Sequence, residues 1–348
     1  MKSVLVCAAQ APFVTGGAEI LVRELVRSLA ARGFRVDVVS LPFHAHPPSE
    51  VARQALAWRL LELRHVTGES VDLVIPTKFP SYLVRHHRKV VWVFHQYREA
   101  YDLLGTELSP LGTGPEDQEV VETVRAMDRA ALGECRRILT ISRNVADRLA
   151  RLNGLAATAL YPPPPQLGRY RCDSYSPFLL SAGRLDRTKR QELVLRAFAR
   201  AGAELRLKLT GEGPLRRDLE RLAASLGVSD RVDFLGFVTE QELVDLYAAC
   251  RGVVYTPYDE DYGYVTVEAF LSRKPVVTAS DSGGPLEFVE DGVSGLVAAP
   301  DAGALGDALD RLWGLSEPRL AAMGAEGARR VASITWDTVV DRLTELVR

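Results

Sequence analysis

The stretch Glu260-Asp-Tyr-Gly-Tyr-Val-Thr-Val-Glu268, continued by Ala269-Phe-Leu-Ser-Arg-Lys-Pro-Val-Val277, sets two carboxylates on either side of a glycine-containing turn. An apolar run follows the turn, and then a proline-led, β-branched run that reads as a buried strand. Eight positions along a turn and helix return the chain close to its starting face, so both acids can address one ligand. Amides at the helix start face the same ligand. Carboxylates accept hydrogen bonds from hydroxyls, and backbone amides hold phosphate oxygens, so the stretch suits a polyhydroxylated ligand that carries phosphate. A sugar nucleotide fits that description.

The same order of strand-like and helix-like runs repeats along the chain. Short β-branched runs at 3–7, 35–40, 73–76, 90–94 and 138–141 alternate with helical spacing at 19–32, 50–64 and 116–134. Such alternation predicts a parallel sheet covered on both faces. Tyr161-Pro-Pro-Pro-Pro165 breaks it, because four prolines exclude helix and central strand and form a stiff connector. A second series of strand-like runs follows at 178–182, 206–210, 231–235, 252–256, 275–279 and 295–297. The reading is an α/β chain of two Rossmann-like, doubly wound domains facing a central cleft, with ligand at the carboxyl edges of the strands. The boundaries are 1–165, 166–330 and a terminal helical segment, 331–348, that packs back on the first domain.

Composition narrows the function. The 348 residues are 47% apolar and 25% charged, and 43 Lys+Arg against 45 Asp+Glu leave a formal charge of −2. Nothing in that balance calls for nucleic acid. The four cysteines are scattered with no C-x-x-C pair, which argues against structural zinc and for reduced thiols. No run approaches a membrane span, and the apolar N-terminus is too short for a signal segment. The expectation is a cytoplasmic protein with at most peripheral membrane association. The pairs His44/His46 and His86/His87 lack ligand company at metal spacing, so no metal is expected.

Several glycine turns recur at the ends of strand runs. Gly16-Gly17-Ala18-Glu19 follows the first strand and opens a helix; it is not the G-x-G-x-x-G of dinucleotide binding. On its own it reads equally well as an empty turn. Gly183-Arg184 with Lys189 sets two cations at a strand end, which suits a departing diphosphate, though taken alone a solvated basic turn is the preferred reading. Gly211-Glu-Gly-Pro214 and Leu235-Gly-Phe-Val238 end the next two strands and either host a nucleobase or simply turn the chain.

Taken in order, these turns, the two glutamates, Gly283-Gly284 with Glu287 and Asp291-Gly-Val-Ser-Gly295 closely resemble the family-four glycosyltransferases, retaining enzymes with the GT-B fold. The resemblance is specific over residues 178–300. In the first half it rests on Gly16–Glu19, His95 and the strand–helix alternation. It implies that Arg184 and Lys189 hold the donor diphosphate, Glu260 the donor sugar and Glu268 the ribose. It also implies that Gly263, Tyr264 and Val265 face the phosphates and sugar, that Gly183 and Gly211 belong to the donor site, that Gly16 and Gly17 meet the diphosphate, and that the turn ending at Val238 meets the base. His95 would position sugar and acceptor, and its neighbours Tyr97, Arg98 and Tyr101 are acceptor-site candidates. Such enzymes are usually metal-independent and need no cofactor beyond the nucleoside-diphosphate sugar. Asp261 and Tyr262 stand where the family commonly has Gly and Phe, so that Asp261 either meets an amino or extra hydroxyl group of an unusual donor sugar or simply points to solvent.

The expected activity is transfer of a sugar from a nucleoside-diphosphate sugar to a hydroxyl acceptor, whether glycan, lipid-linked or a small metabolite. An epimerase or phosphorylase on the same fold and a non-catalytic nucleotide-sugar sensor stand as alternatives. A dehydrogenase on two Rossmann-like halves is disfavoured by the missing glycine fingerprint.

Overall fold

The computed structural model describes residues 1–13, 16–66, 68–202 and 204–347. It divides into two compact units, Met1–Pro165 with Ile334–Arg348, and Gln166–Ser333.

In the first unit, β1 (Ser3–Gln10) runs beside β2 (Arg35–Pro42) and β3 (Leu73–Pro76), all parallel. A second parallel triplet consists of β4 (Val90–Val93), β5 (Arg137–Thr140) and β6 (Thr158–Ala159). A bridge between Val74 and Lys89 joins β3 to β4, so the strand order is 2-1-3-4-5-6. That is one of the two common doubly wound orders, with its switch point between β1 and β3. The central strands are buried on both faces, which explains their unbroken apolar runs. The helices are α1 (Gly17–Ala31), α2 (Val51–Leu60), α3 (Pro115–Gly133) and α4 (Arg143–Asn153). In α1, Leu21, Leu25 and Leu29 form the buried stripe at helical spacing. α4 starts where the Ser142 hydroxyl accepts from Val145 N–H at 3.0 Å and stops at Gly154, φ 68°.

In the second unit the strands are β7 (Leu179–Ala182), β8 (Leu207–Thr210), β9 (Val232–Gly236), β10 (Gly252–Val254), β11 (Val276–Ala279) and β12 (Gly295–Ala298). All are parallel, in the order β9-β8-β7-β10-β11-β12. Counted within the unit this is 3-2-1-4-5-6, the dinucleotide-fold order, with its switch point between β7 and β10. Helices α5 (Gln191–Arg200), α6 (Arg216–Ser225), α7 (Glu240–Ala249), α8 (Tyr264–Leu271), α9 (Ala302–Trp313) and α10 (Glu317–Val331) complete it. Leu179, Leu195, Phe198, Leu209, Val254, Val277, Leu305 and Leu309 belong to one core cluster of strand and helix side chains.

The terminal helix α11 (Trp336–Thr344) belongs to the first unit. Arg32 at the end of α1 binds Asp337 at 3.1 Å and pairs with Asp341, while Arg137 pairs with Glu345. The last expected helical residue, Arg348, lies outside the described residues.

Candidate functional site

The carboxyl edge of the second unit collects the expected donor residues around its switch point. β7 ends at Ala182, and Gly183 turns the chain with φ 133°. The next residues form a tight turn because Asp186 caps it: its carboxylate accepts from the amides of Thr188 and Lys189 at 3.0 and 3.2 Å and from the Thr188 hydroxyl at 2.7 Å. That turn fixes where Lys189 starts. Its ammonium hydrogen-bonds Glu260 in the loop after β10. The Tyr255 hydroxyl donates to the same Glu260 oxygen at 2.9 Å. Arg184 lies farther out, its side chain 56% exposed and 3.7 Å from Asp186, so it is the solvent-facing cation of the two.

Neighbouring turns are stitched to this edge. Gly211, φ 108°, hydrogen-bonds Gly236 O at 2.7 Å, and a β-carbon on it would stand 2.2 Å from Gly183 O. Only glycine fits there, so the motif turns after β7 and β8 touch backbone to backbone. Val238, just past β9, is half-buried beside the exposed Phe237.

Glu268 stands in the second turn of α8, whose first residues are Tyr264 and Val265. The helix begins at Gly263, φ 83°, where a β-carbon would come within 2.9 Å of the Tyr255 ring. Glu268 is buried and accepts a hydrogen bond from Tyr247 at 2.8 Å. Burial pushes its carboxyl above the usual range, while hydroxyl hydrogen bonds from Tyr247 and Tyr170 pull the other way. Two hydroxyls donating to one carboxylate is also the pattern a ribose diol would present.

In the first unit, Gly16 is the N-cap of α1, and Glu19 reaches back to the Gly16 amide at 2.9 Å. Glu19 also pairs with Lys78, just past β3, at 2.8 Å. Gly17 is the first helical residue. A cavity of about 330 Å³ opens beside this pair, lined by Gln10, Ala18, Val22 and Val38 among others. His95 follows β4, half-buried, with Nδ1 2.7 Å from Gln96 O.

The three acceptor candidates after His95 do not stand at an open edge. The chain turns inward over 98–100, and Tyr97 and Tyr101 are buried at 4% and 5% exposure. The Tyr97 ring packs between Phe43 and Phe79. Tyr101 donates to buried Asp128 at 3.0 Å and accepts from Asn153 at 2.9 Å. Arg98 is held by Asp102 at 2.6 Å. The Tyr101 hydroxyl and the Arg98 guanidinium are thus engaged by carboxylates of the first unit itself, and the Tyr97 hydroxyl is buried with no hydrogen-bond partner among the described residues.

Several residues of the edge escaped the sequence reading. Tyr255, Tyr247 and Tyr170 are phenols in otherwise apolar or turn-rich runs, and no spacing marks them as partners of the two glutamates. Asp281 is another, 91 positions from its partner Arg190. Among the described residues, no three His, Cys, Asp or Glu side chains converge as a metal site would require.

Residues 15–163 match the family model described as Glycosyltransferase Family 4, and residues 169–330 match glycosyl transferases group 1. The chain belongs to glycosyltransferase family four. The two matches leave only the ends and the short connector uncovered. Among relatives, the D-inositol 3-phosphate glycosyltransferase of Nocardia farcinica is 29% identical over 92% of this chain and 74% of its own length. The alpha-D-kanosaminyltransferase of Streptomyces kanamyceticus is 34% identical over 46% of this chain and 42% of its own. Among solved structures, sucrose-phosphate synthase from Thermosynechococcus elongatus superposes with a TM-score of 0.81 at 20% identity, covering 99% of this chain and 98% of that one. Anabaena HepE in complex with UDP and glucose superposes at 0.71 and 18% identity, with 99% of each chain covered. At such identities the likeness shows the fold, which is GT-B.

Proposed function

We propose that this family-four glycosyltransferase moves a sugar from a nucleoside-diphosphate sugar to a hydroxyl acceptor with retention of anomeric configuration and without a metal. The observation that carries the reading is the contact between Lys189 and Glu260 at the switch point of the second unit. A cation for the diphosphate and an acid for sugar hydroxyls thus meet where a nucleotide binds in this strand order.

In this reading the second unit holds the donor and the first the acceptor. Arg184 and Lys189 stabilise negative charge on the leaving diphosphate, the task a divalent cation would otherwise perform. Glu260 orients the donor sugar and Glu268 the ribose. Gly183, Gly211 and Val238 line the phosphate and base side. The resemblance to the retaining family-four enzymes implies that the acceptor attacks on the face from which the diphosphate departs, with no glycosidase-type covalent intermediate. The departing phosphate takes the acceptor's proton. In the first unit, Gly16, Gly17 and His95 remain the residues proposed to face the reacting groups.

The name of the Nocardia relative supports a hydroxylated small-molecule acceptor, such as an inositol phosphate, and that of the Streptomyces relative an amino sugar as the group transferred. Glycan and lipid-linked acceptors share that hydroxyl chemistry. Among the described residues no helix is long and apolar enough to cross a membrane, which fits a cytoplasmic site of action, at most peripheral to the bilayer.

The test is a thermal-shift panel of UDP, GDP, ADP and dTDP sugars, since a bound ligand raises the midpoint by mass action. A shift with one base, followed by an α-linked product from an α-linked donor, is the expected result. No shift across the panel, or an inverted product, overturns the reading.

A further inference from the structure

We infer that Arg190 is a positioning residue that, with Asp281, sets the geometry of Lys189 against Glu260. The inference rests on the donor-site reading of those two residues.

Arg190 sits in the left-handed region, φ 51° and ψ 39°, which a residue with a β-carbon rarely adopts. Its guanidinium is built into its surroundings. Nε donates to Thr256 O at 2.8 Å and Nη2 to Pro257 O at 2.7 Å. Nη1 and Nη2 bind the two oxygens of Asp281 at 2.8 and 2.6 Å, the fork-to-fork arrangement that a lysine cannot reproduce. The cation also lies 5.6 Å from the centre of the Tyr258 ring.

These contacts join three loops at the carboxyl edge: the turn after β7 that carries Lys189, the loop after β10 that carries Glu260, and the turn after β11 that carries Asp281. Backbone bonds follow the same seam. Tyr258 N–H donates to Thr188 O at 2.7 Å, Asp259 N–H to Asp281 O at 2.9 Å and Glu260 N–H to Ser282 O at 3.0 Å. Gly284 N–H returns to Glu260 O at 2.7 Å. Lys189 and Glu260 therefore meet because the residue next to one is clamped to the loop that bears the other. Arg190 spends its donors on protein groups, so its part in transfer is geometric.

The decisive variant is Arg190→Gly. Glycine suits the left-handed backbone, so the substitution removes the clamp without adding strain. The probe is the nucleoside-diphosphate sugar that stabilises the wild-type protein, and the reaction is its hydrolysis, which needs no acceptor. Turnover is expected to fall tenfold or more, with donor affinity changed less than threefold and the thermal midpoint little moved. Arg190→Lys should not rescue turnover, and Asp281→Asn combined with Arg190→Gly should be no worse than the poorer single variant. Hydrogen exchange supplies a readout without donor: amides of Tyr258, Asp259, Glu260 and Gly284 lose protection while the strands keep theirs. Turnover within twofold of wild type, or unchanged protection at those four amides, overturns the inference. Normal turnover in Lys189→Ala would instead overturn the donor-site reading, whatever Arg190 does.

Discussion

Lys189 and Glu260, 71 positions apart, hydrogen-bond each other at the switch point of the second sheet. The two charges thus balance each other, and under the proposed function the donor diphosphate competes with Glu260 for the ammonium. Glu260→Gln keeps the shape and removes the competing charge. Free UDP or GDP should bind several-fold more tightly to this variant by calorimetry, while donor turnover falls because the sugar loses its carboxylate partner. Weaker binding of the free nucleoside diphosphate would show that Glu260 does not restrain Lys189.

Lys189→Ala separates catalysis from folding. The side chain is partly exposed and its removal leaves no buried cavity, so the unfolding midpoint should move little. Loss of one preorganised cation from a developing negative charge costs about 10²–10³ in rate. Steady-state turnover near wild type would remove Lys189 from the mechanism.

Glu268 carries a pH signature. Burial raises its carboxyl above the ordinary glutamate range, and ribose hydroxyls need the ionised form as acceptor. Nucleotide affinity should therefore decline as pH falls, starting above the pH at which an exposed glutamate protonates. Glu268→Gln should weaken binding by roughly 1–3 kcal/mol at pH 8 and flatten the profile. Parallel profiles for the two proteins would dissociate Glu268 from the nucleotide.

Much of this architecture was open to sequence reasoning, and the limits have physical causes. β3 matches its expected run residue for residue, because a strand buried on both faces must be apolar throughout. β6, of two residues, has no pattern long enough to read. The helix expected over 50–64 ends at Leu60, and Glu62 and Arg64 pair in extended chain instead. At the site, the residue types at Lys189, Glu260 and Glu268 are local motif features and therefore legible. Their surroundings are not: Tyr247 meets Glu268 and Asp281 meets Arg190 only through tertiary packing, while Tyr255, five positions from Glu260, carries no spacing signal that marks it as a partner. Tyr97 and Tyr101 mislead for the same reason. Polar groups after a strand suggest an open edge, yet a buried carboxylate from α3 draws the Tyr101 hydroxyl inward.

That carboxylate, Asp128, gives the first unit a predictable pH response. It is fully buried, with hydroxyls of Tyr82 and Tyr101 at 2.9 and 3.0 Å. Burial outweighs those bonds and pushes its carboxyl up to about 7. The unfolded chain has an ordinary aspartate near ~3.9, so between about pH 4 and 7 the native state holds a proton that the unfolded state lacks. Stability from this group is therefore greatest below that window and is lost as pH rises through it, by at most ~1.4 kcal/mol per pH unit. Asp128→Asn removes the titration. Relative to wild type, the variant should gain stability steadily from pH 5 to pH 7 in urea unfolding of the full chain. A constant difference across that range would mean that Asp128 keeps its charge in the native state.

Lys89 offers the complementary case of a buried cation whose partners are carbonyls. Its side chain is fully buried, and the ammonium donates to Tyr82 O and Val84 O at 3.1 Å and to Ala131 O at 2.9 Å. It thereby ties the entry to β4 to the last turn of α3, where a cation also meets the negative end of the helix dipole. Desolvation lowers the lysine's pKa, opposed by Glu134 at 3.7 Å and by Cys135. Lys89→Met preserves most of the volume but leaves three carbonyls facing an apolar methyl group. Each orphaned acceptor costs about 1–3 kcal/mol, and relaxation toward water recovers part of that. The urea midpoint of the first unit should drop by an amount equivalent to at least ~3 kcal/mol, far more than an exposed lysine-to-methionine change produces. A loss below ~1 kcal/mol would mean that those carbonyls find other donors once the ammonium is gone.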